Sequence, residues 1–205
     1  MNKSIKKPMG PENLREVLQA LDRQIALRGG GPIGLVVCGG SALAALGLTT
    51  RTTGDTDVLG QAVSEGGATR IVRITAFPPW LDEAAGAVAR DFALPKTWLN
   101  LGPASQLDSG LPEGLEKRLQ PVVYGPLLTA YYISRLDQIH FKLFASVDRG
   151  PGDYHVSDLM ALSPTPAEMT AATRWVSGQD TSPEFGALLR DFLAKKGYQD
   201  AASKI

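Results

Sequence analysis

The chain has 205 residues, with 21 Lys and Arg against 21 Asp and Glu, so it is long enough for one full core and has no net charge to favour nucleic acid. Its one cysteine, Cys38, excludes an intramolecular disulfide, and with two histidines it argues against a Cys- or His-built metal centre. No apolar run approaches the roughly 20 residues needed to span a bilayer, and the basic start MNKSIKKPMG lacks a secretory h-region, so a cytoplasmic protein is expected.

In chain order, Met1 to Gly10 reads as a flexible lead-in. Pro11 to Arg28 carries Leu14, Val17, Leu18, Leu21 and Ile25 on one face, an amphipathic helix closed by Gly29-Gly30-Gly31-Pro32. Leu35 to Cys38 has the β-branched content of a buried strand, with Cys38 an inert thiol inside it. A Gly39-Gly40-Ser41 turn leads into a short helix, Ala42 to Leu46. A polar loop then runs through Arg51 to Asp57 into the strand at Val58-Leu59.

Thr69 to Ala76 alternates as a strand, Pro78-Pro79 breaks the chain, and Leu81 to Phe92 is an alanine-rich helix ended by Leu94-Pro95. Lys96 to Gly110 reads as a loop around Trp98-Leu99-Asn100, followed by a short helix over Pro112 to Leu119. Gly125-Pro126 turns between Val122 to Tyr124 and a strand at Leu127 to Ser134. Leu136 to Val147 is helical, and Asp148 to Asp153 is a turn. Two helices close the chain. The first opens on the capping-box spacing Thr165-Pro166-Ala167-Glu168, and the second carries the stripe Phe185, Leu188, Leu189, Phe192 and Leu193, which fits a core or an oligomer face. The expected class is α/β (α+β), a mixed sheet flanked by helices, with a core at 1–162 and a helical segment at 163–205.

The chemistry concentrates between Ile33 and Gly60. Residues i and i+2 of a strand share a face, so Asp55 and Asp57 aim two carboxylates into one volume. Carboxylates that close call for a proton or a cation, and Mg²⁺ takes one or two of them plus substrate phosphates. Gly39-Gly40-Ser41 offers close backbone approach, N–H groups for phosphate and a hydroxyl; Arg51 suits a phosphate bidentately. Singly, D-x-D and G-G-S are commonest as turns, and it is their order that points to a site. Neither G-x-x-x-x-G-K-[ST] nor G-x-S-x-G is present. By residue type alone, Lys142 in a helix with Asp137 and His140 reads as solvated, His140 as partly buried, and His155 and Asp158 as helix caps. Trp80 and Trp98 read as packing rather than as base-stacking platforms.

The order G-G-S-A-L (Gly39 to Leu43), then R-x-T-x-D-x-D (Arg51, Thr53, Asp55, Asp57), resembles the nucleotidyltransferase superfamily. More narrowly, it is similar to AbiEii-type toxins and small nucleotidyltransferase-like proteins of unknown function. Trp98-Leu99-Asn100, the Lys142 helix and His155 to Leu162 resemble later elements of those proteins, so the likeness spans Ile33 to Pro164. It implies a nucleotidyltransferase-like mixed sheet and Mg²⁺-dependent transfer of a nucleoside monophosphate from an NTP to RNA, protein or a small molecule. Gly39, Gly40, Ser41, Arg51 and Thr53 would hold the triphosphate, Asp55 and Asp57 the metal, and Lys142 would neutralise phosphate charge. An antitoxin protein is the implied partner if the chain is a toxin.

One departure stands out. Members of that superfamily carry a third carboxylate on a later strand, but the Ile71 to Phe77 segment has none, and Leu101 stands where relatives place an aspartate after W-L-N. Asp82 and Asp108 are the substitutes at hand. Three readings stay open: an active transferase, a decayed binding or regulatory protein on the same fold, and a plain α/β domain whose G-G-S and D-T-D are turns.

Overall fold

The structure, a computed structural model, describes residues 9–149 and 154–205. They fall into two compact units, 9–107 with 116–133, and 108–115 with 134–149 and 154–205. The chain is mixed α/β with C-terminal helices, as the pattern of elements predicts.

The first unit is built on one mixed sheet. Its strands are β1 (Ile33–Cys38), β2 (Thr56–Glu65), β3 (Ala68–Val72), β4 (Leu99–Asn100), β5 (Gln120–Val123) and β6 (Leu128–Tyr132), in the order β3-β2-β1-β6-β5, with β4 also pairing β2. Central β1 runs antiparallel to β2 and parallel to β6. It is buried on both faces, which explains its unbroken apolar sequence. Ile33, Leu35 and Val37 of β1 and Leu128, Ala130 and Tyr132 of β6 point into the main core, the period of two that a pleated strand imposes. Helix α1 (Leu14–Leu27) supplies Leu14, Val17, Leu18, Leu21 and Ile25 to that core, and α3 (Pro79–Asp91) supplies Leu81, Ala84, Ala85 and Val88. Trp98 is wholly buried and donates its indole N–H to the Ala85 carbonyl at 2.9 Å, so it packs as expected. Cys38 is a buried thiol within β1.

Both edges of the sheet are blunted. Pro121 removes a donor from β5. On β3 the Ile71 N–H goes to Glu116 Oε1 at 2.8 Å, while Glu116 Oε2 pairs with Arg70 at 2.8 Å, covering an open edge donor with a charged group.

Several expectations are corrected. The lead-in is not loose at its end: Met9 is fully buried and exchanges two backbone hydrogen bonds with Thr53, at 2.7 and 2.6 Å. Residues 1–8 lie outside the described part. The short helix, α2 (Gly39–Ala45), begins at the glycines rather than after them. The β3 strand stops at Val72, short of Ala76. Inside the Lys96 to Gly110 loop lie β4 and a 3₁₀ segment, Gly102–Leu107, and the Pro112 to Leu119 helix shrinks to a 3₁₀ turn at Leu115–Arg118. Of the turn expected over Asp148 to Asp153, Asp148 is instead helical, and residues 150–153 also lie outside the described part.

The second unit is helical: α4 (Arg135–Asp148), α5 (Tyr154–Ala161), α6 (Pro166–Gln179), α7 (Pro183–Lys195) and α8 (Gln199–Ala202). Helix α4 packs on α5, α6 and α7, so it groups with the C-terminal helices rather than with the sheet-bearing residues. The Thr165/Glu168 capping box forms as the sequence predicts, with Pro166 in the first turn. Of the α7 stripe, Phe185, Leu189, Phe192 and Leu193 are buried and Leu188 is exposed, so the stripe serves the core.

Candidate functional site

The site forms where β1 ends, α2 begins and β2 starts. Cys38 and Asp57 are partners across the β1–β2 ladder, and a bulge between Val36 and Val37 shifts the register just before them. Such bulges re-aim side chains at the end of a pairing. The chain enters α2 through Gly39, whose φ of +71° suits glycine and strains an L side chain. A Cβ on Gly39 would lie 2.5 Å from Asp57 Oδ2, so the carboxylate packs directly onto the bare backbone. A Cβ on Gly40 would lie 2.9 Å from Thr53 Oγ1 and 3.2 Å from Arg51 Nη2. The G-G-S and R-x-T-x-D-x-D segments, separate in sequence, therefore meet residue against residue.

Each acid has its own orienting group. Thr53 is pinned by its backbone pairing with Met9 and donates its hydroxyl to Asp55 Oδ1 at 2.8 Å. Asp57 Oδ1 accepts from Asn100 Nδ2 at 3.1 Å, and Asn100 Oδ1 accepts the Gly102 N–H at 2.8 Å. Both aspartates are half-buried. Arg51 is also half-buried and donates to the Thr52 carbonyl at 3.1 Å. Ser41 is 1% exposed, and its hydroxyl has no hydrogen-bond partner among the described residues. Asp82 is exposed in the first turn of α3, and Asp108 belongs to the second unit.

Lys142 also lies in the second unit, and there it is not solvated. Its side chain is 3% exposed and its Nζ is 2.7 Å from Asp158 Oδ2. His155 Nδ1 is 3.2 Å from the same ammonium, and the Tyr154 ring centroid is 5.6 Å away. Asp158 is thus an ion-pair partner inside α5 and not a helix cap, and His155 turns toward Lys142. Lys142, expected to neutralise phosphate, is paired with Asp158 here. His140 is buried, with Nδ1 2.8 Å from the Leu136 carbonyl.

Three residues with defined jobs went unassigned in the sequence. Asn100 orients Asp57, but a two-residue strand leaves no periodicity to find. Met9 anchors Thr53 from a stretch that reads as a tail. Asp22 of α1 accepts the Leu127 and Leu128 N–H groups at 2.8 Å each and so caps the β5–β6 turn. A carboxylate lodged between Leu21 and Ile25 of the apolar stripe was the available signal.

No protein-family model matches the chain, and neither a curated protein nor a solved structure does so closely enough to establish kinship.

Proposed function

We propose that the first unit carries a nucleotidyltransferase-type centre that uses Mg²⁺ and a nucleoside triphosphate, of the kind found in AbiEii-type and related small nucleotidyltransferase-like proteins. The observation that carries this reading is the approach of Gly39 to Asp57. A glycine in a left-handed conformation lets the half-buried carboxylate lie directly against the backbone that opens α2, which brings the acid and the backbone expected to meet phosphate to one place.

The donor set fits Mg²⁺. Asp55 and Asp57 would offer hard oxygen ligands, Asp55 steadied by Thr53 and Asp57 by Asn100, and substrate phosphate and water would supply the other oxygens that Mg²⁺ takes. When bound, Mg²⁺ would neutralise phosphate charge as a Lewis acid. The chain's own groups do the rest: Gly39 and Gly40 admit the triphosphate close to the backbone, Arg51 pairs with a phosphate, and Thr53 holds Asp55. The reaction class is transfer of a nucleoside monophosphate to an acceptor in RNA, protein or a small molecule, with pyrophosphate leaving. A toxin held in check by an antitoxin protein is the setting that the family resemblance supports.

The test is binding of Mg-NTP to the full chain and to Asp57→Ala, followed by label transfer from each NTP. Saturable binding lost in the variant is expected; binding that survives Asp57→Ala would overturn the reading. A second reading, a nucleotide-binding regulatory protein without transfer, is favoured by Asn100, which places an amide beside Asp57. Binding without label transfer to any acceptor would select it.

A further inference from the structure

Asn100 on β4 is the register partner of Asp57 on β2 in a parallel pair. Its amide has one orientation that satisfies both neighbours. The Gly102 N–H at 2.8 Å needs an acceptor, which only Oδ1 supplies, so Nδ2 faces Asp57 Oδ1, at 3.1 Å. With that oxygen engaged, Asp57 Oδ2 is the one turned to Gly39. The strand beside the D-x-D pair therefore contributes a fixed neutral donor.

We propose that Asn100 is the positioning residue of Asp57, and that it holds the site at two carboxylates suited to one divalent cation rather than two. This rests on the metal-binding reading above. The chemistry separates two substitutions at the same position. In Asn100→Asp, one oxygen still accepts from Gly102, while the other replaces the donor opposite Asp57. Two carboxylate oxygens at that distance require a proton or a further cation. Asn100→Ala removes the donor without adding charge and leaves Asp57 without this restraint. Loss of such an orienting partner typically weakens metal binding about 10- to 100-fold.

The experiment titrates Mn²⁺ alone into the full wild-type chain, Asn100→Asp, Asn100→Ala and Asp57→Ala, by calorimetry and by the spin-resonance signal of free Mn²⁺. Thermal unfolding is followed with and without the ion. The expected results are one ion per wild-type chain and none bound to Asp57→Ala. Asn100→Ala should bind about tenfold or more weakly. Asn100→Asp should melt lower without metal, recover with it, and bind more tightly or take up a second ion. The metal-dependent recovery distinguishes a charge effect from simple misfolding. If both Asn100 variants bind like wild type while Asp57→Ala does not, the role of Asn100 is overturned and the site reading survives. Two ions on the wild type would overturn the single-cation inference alone. No ion on the wild type would overturn both.

Discussion

Lys142 and Asp158 form a buried ion pair, Nζ to Oδ2 2.7 Å, with each side chain 3% exposed. The pair ties α4 to α5, a helix of eight residues whose buried set is only Val156, Asp158 and Leu159. Removing one partner strands a charge in the interior, which costs about 3–5 kcal/mol, whereas replacing both with apolar groups is often neutral. Lys142→Met should therefore lower stability by several kcal/mol, and Lys142→Met with Asp158→Leu should recover most of it in denaturant unfolding. Nucleotide binding measured on the double variant then decides what Lys142 does. Retained binding assigns it a structural role, and lost binding in a stable protein assigns it to phosphate.

Gly39→Ala tests the other close approach. The substitution places a β-carbon at a φ of +71° and 2.5 Å from Asp57 Oδ2. The left-handed backbone alone costs about 1–2 kcal/mol, and the carboxylate must also move. Loss of about 2 kcal/mol of stability together with loss of Mn²⁺ binding is expected. Calorimetric titration showing wild-type Mn²⁺ affinity would separate Gly39 from the site.

Asp22 serves the fold from a helix that otherwise contributes hydrocarbon. Its Oδ1 takes both the Leu127 and Leu128 N–H groups at 2.8 Å, and hydrogen bonds to a charged acceptor are each worth about 1.5–3 kcal/mol. Asp22→Ala should cost about 3 kcal/mol or more by chemical denaturation, and Asp22→Asn, which keeps one acceptor oxygen, distinctly less. Gly125→Ala should be comparably damaging, because its β-carbon would overlap the Asp22 carboxylate.

Glu168 gives the second unit an acid dependence of known sign. Hydrogen bonding from the Arg135 guanidinium, aided by the Thr165 N–H and hydroxyl, lowers its pKa from 4.5 to about 2 against the opposing effect of burial. A carboxylate lowered in the folded state stabilises fully above its unfolded value and loses that contribution as pH falls through its folded one. The window thus runs from about 4.5 down to about 2. Melting curves of wild type and Glu168→Gln should differ at pH 7 and converge toward pH 2. A constant gap across that range would contradict the assignment.

Much of the fold follows from local rules written in the chain. The apolar stripe of α1, the β-branched run of β1, the capping box of α6 and the Pro78-Pro79 start of α3 are each set by a few neighbouring residues, and each forms where those residues stand. The sequence also drew Gly39, Gly40, Arg51, Thr53, Asp55 and Asp57 into one candidate site by strand alternation and a strand–glycine–helix passage, although Asp55 lies just before β2 and outside the alternating strand.

What local reading could not reach depends on pairings between distant residues. Asn100 acquires its position only because β4 docks beside β2, 43 residues away in sequence, and a two-residue strand carries no pattern of its own. Met9 reads as a tail until it pairs with Thr53, and Lys142 reads as solvated until α5 covers it with Asp158. Burial and charge pairing are properties of the assembled chain. The sequence alone determined that two carboxylates follow a β-branched run and a pair of glycines along the chain. Only the tertiary structure decided that Gly39 lies against Asp57 and that an amide, fixed by the Gly102 N–H, is what stands beside it.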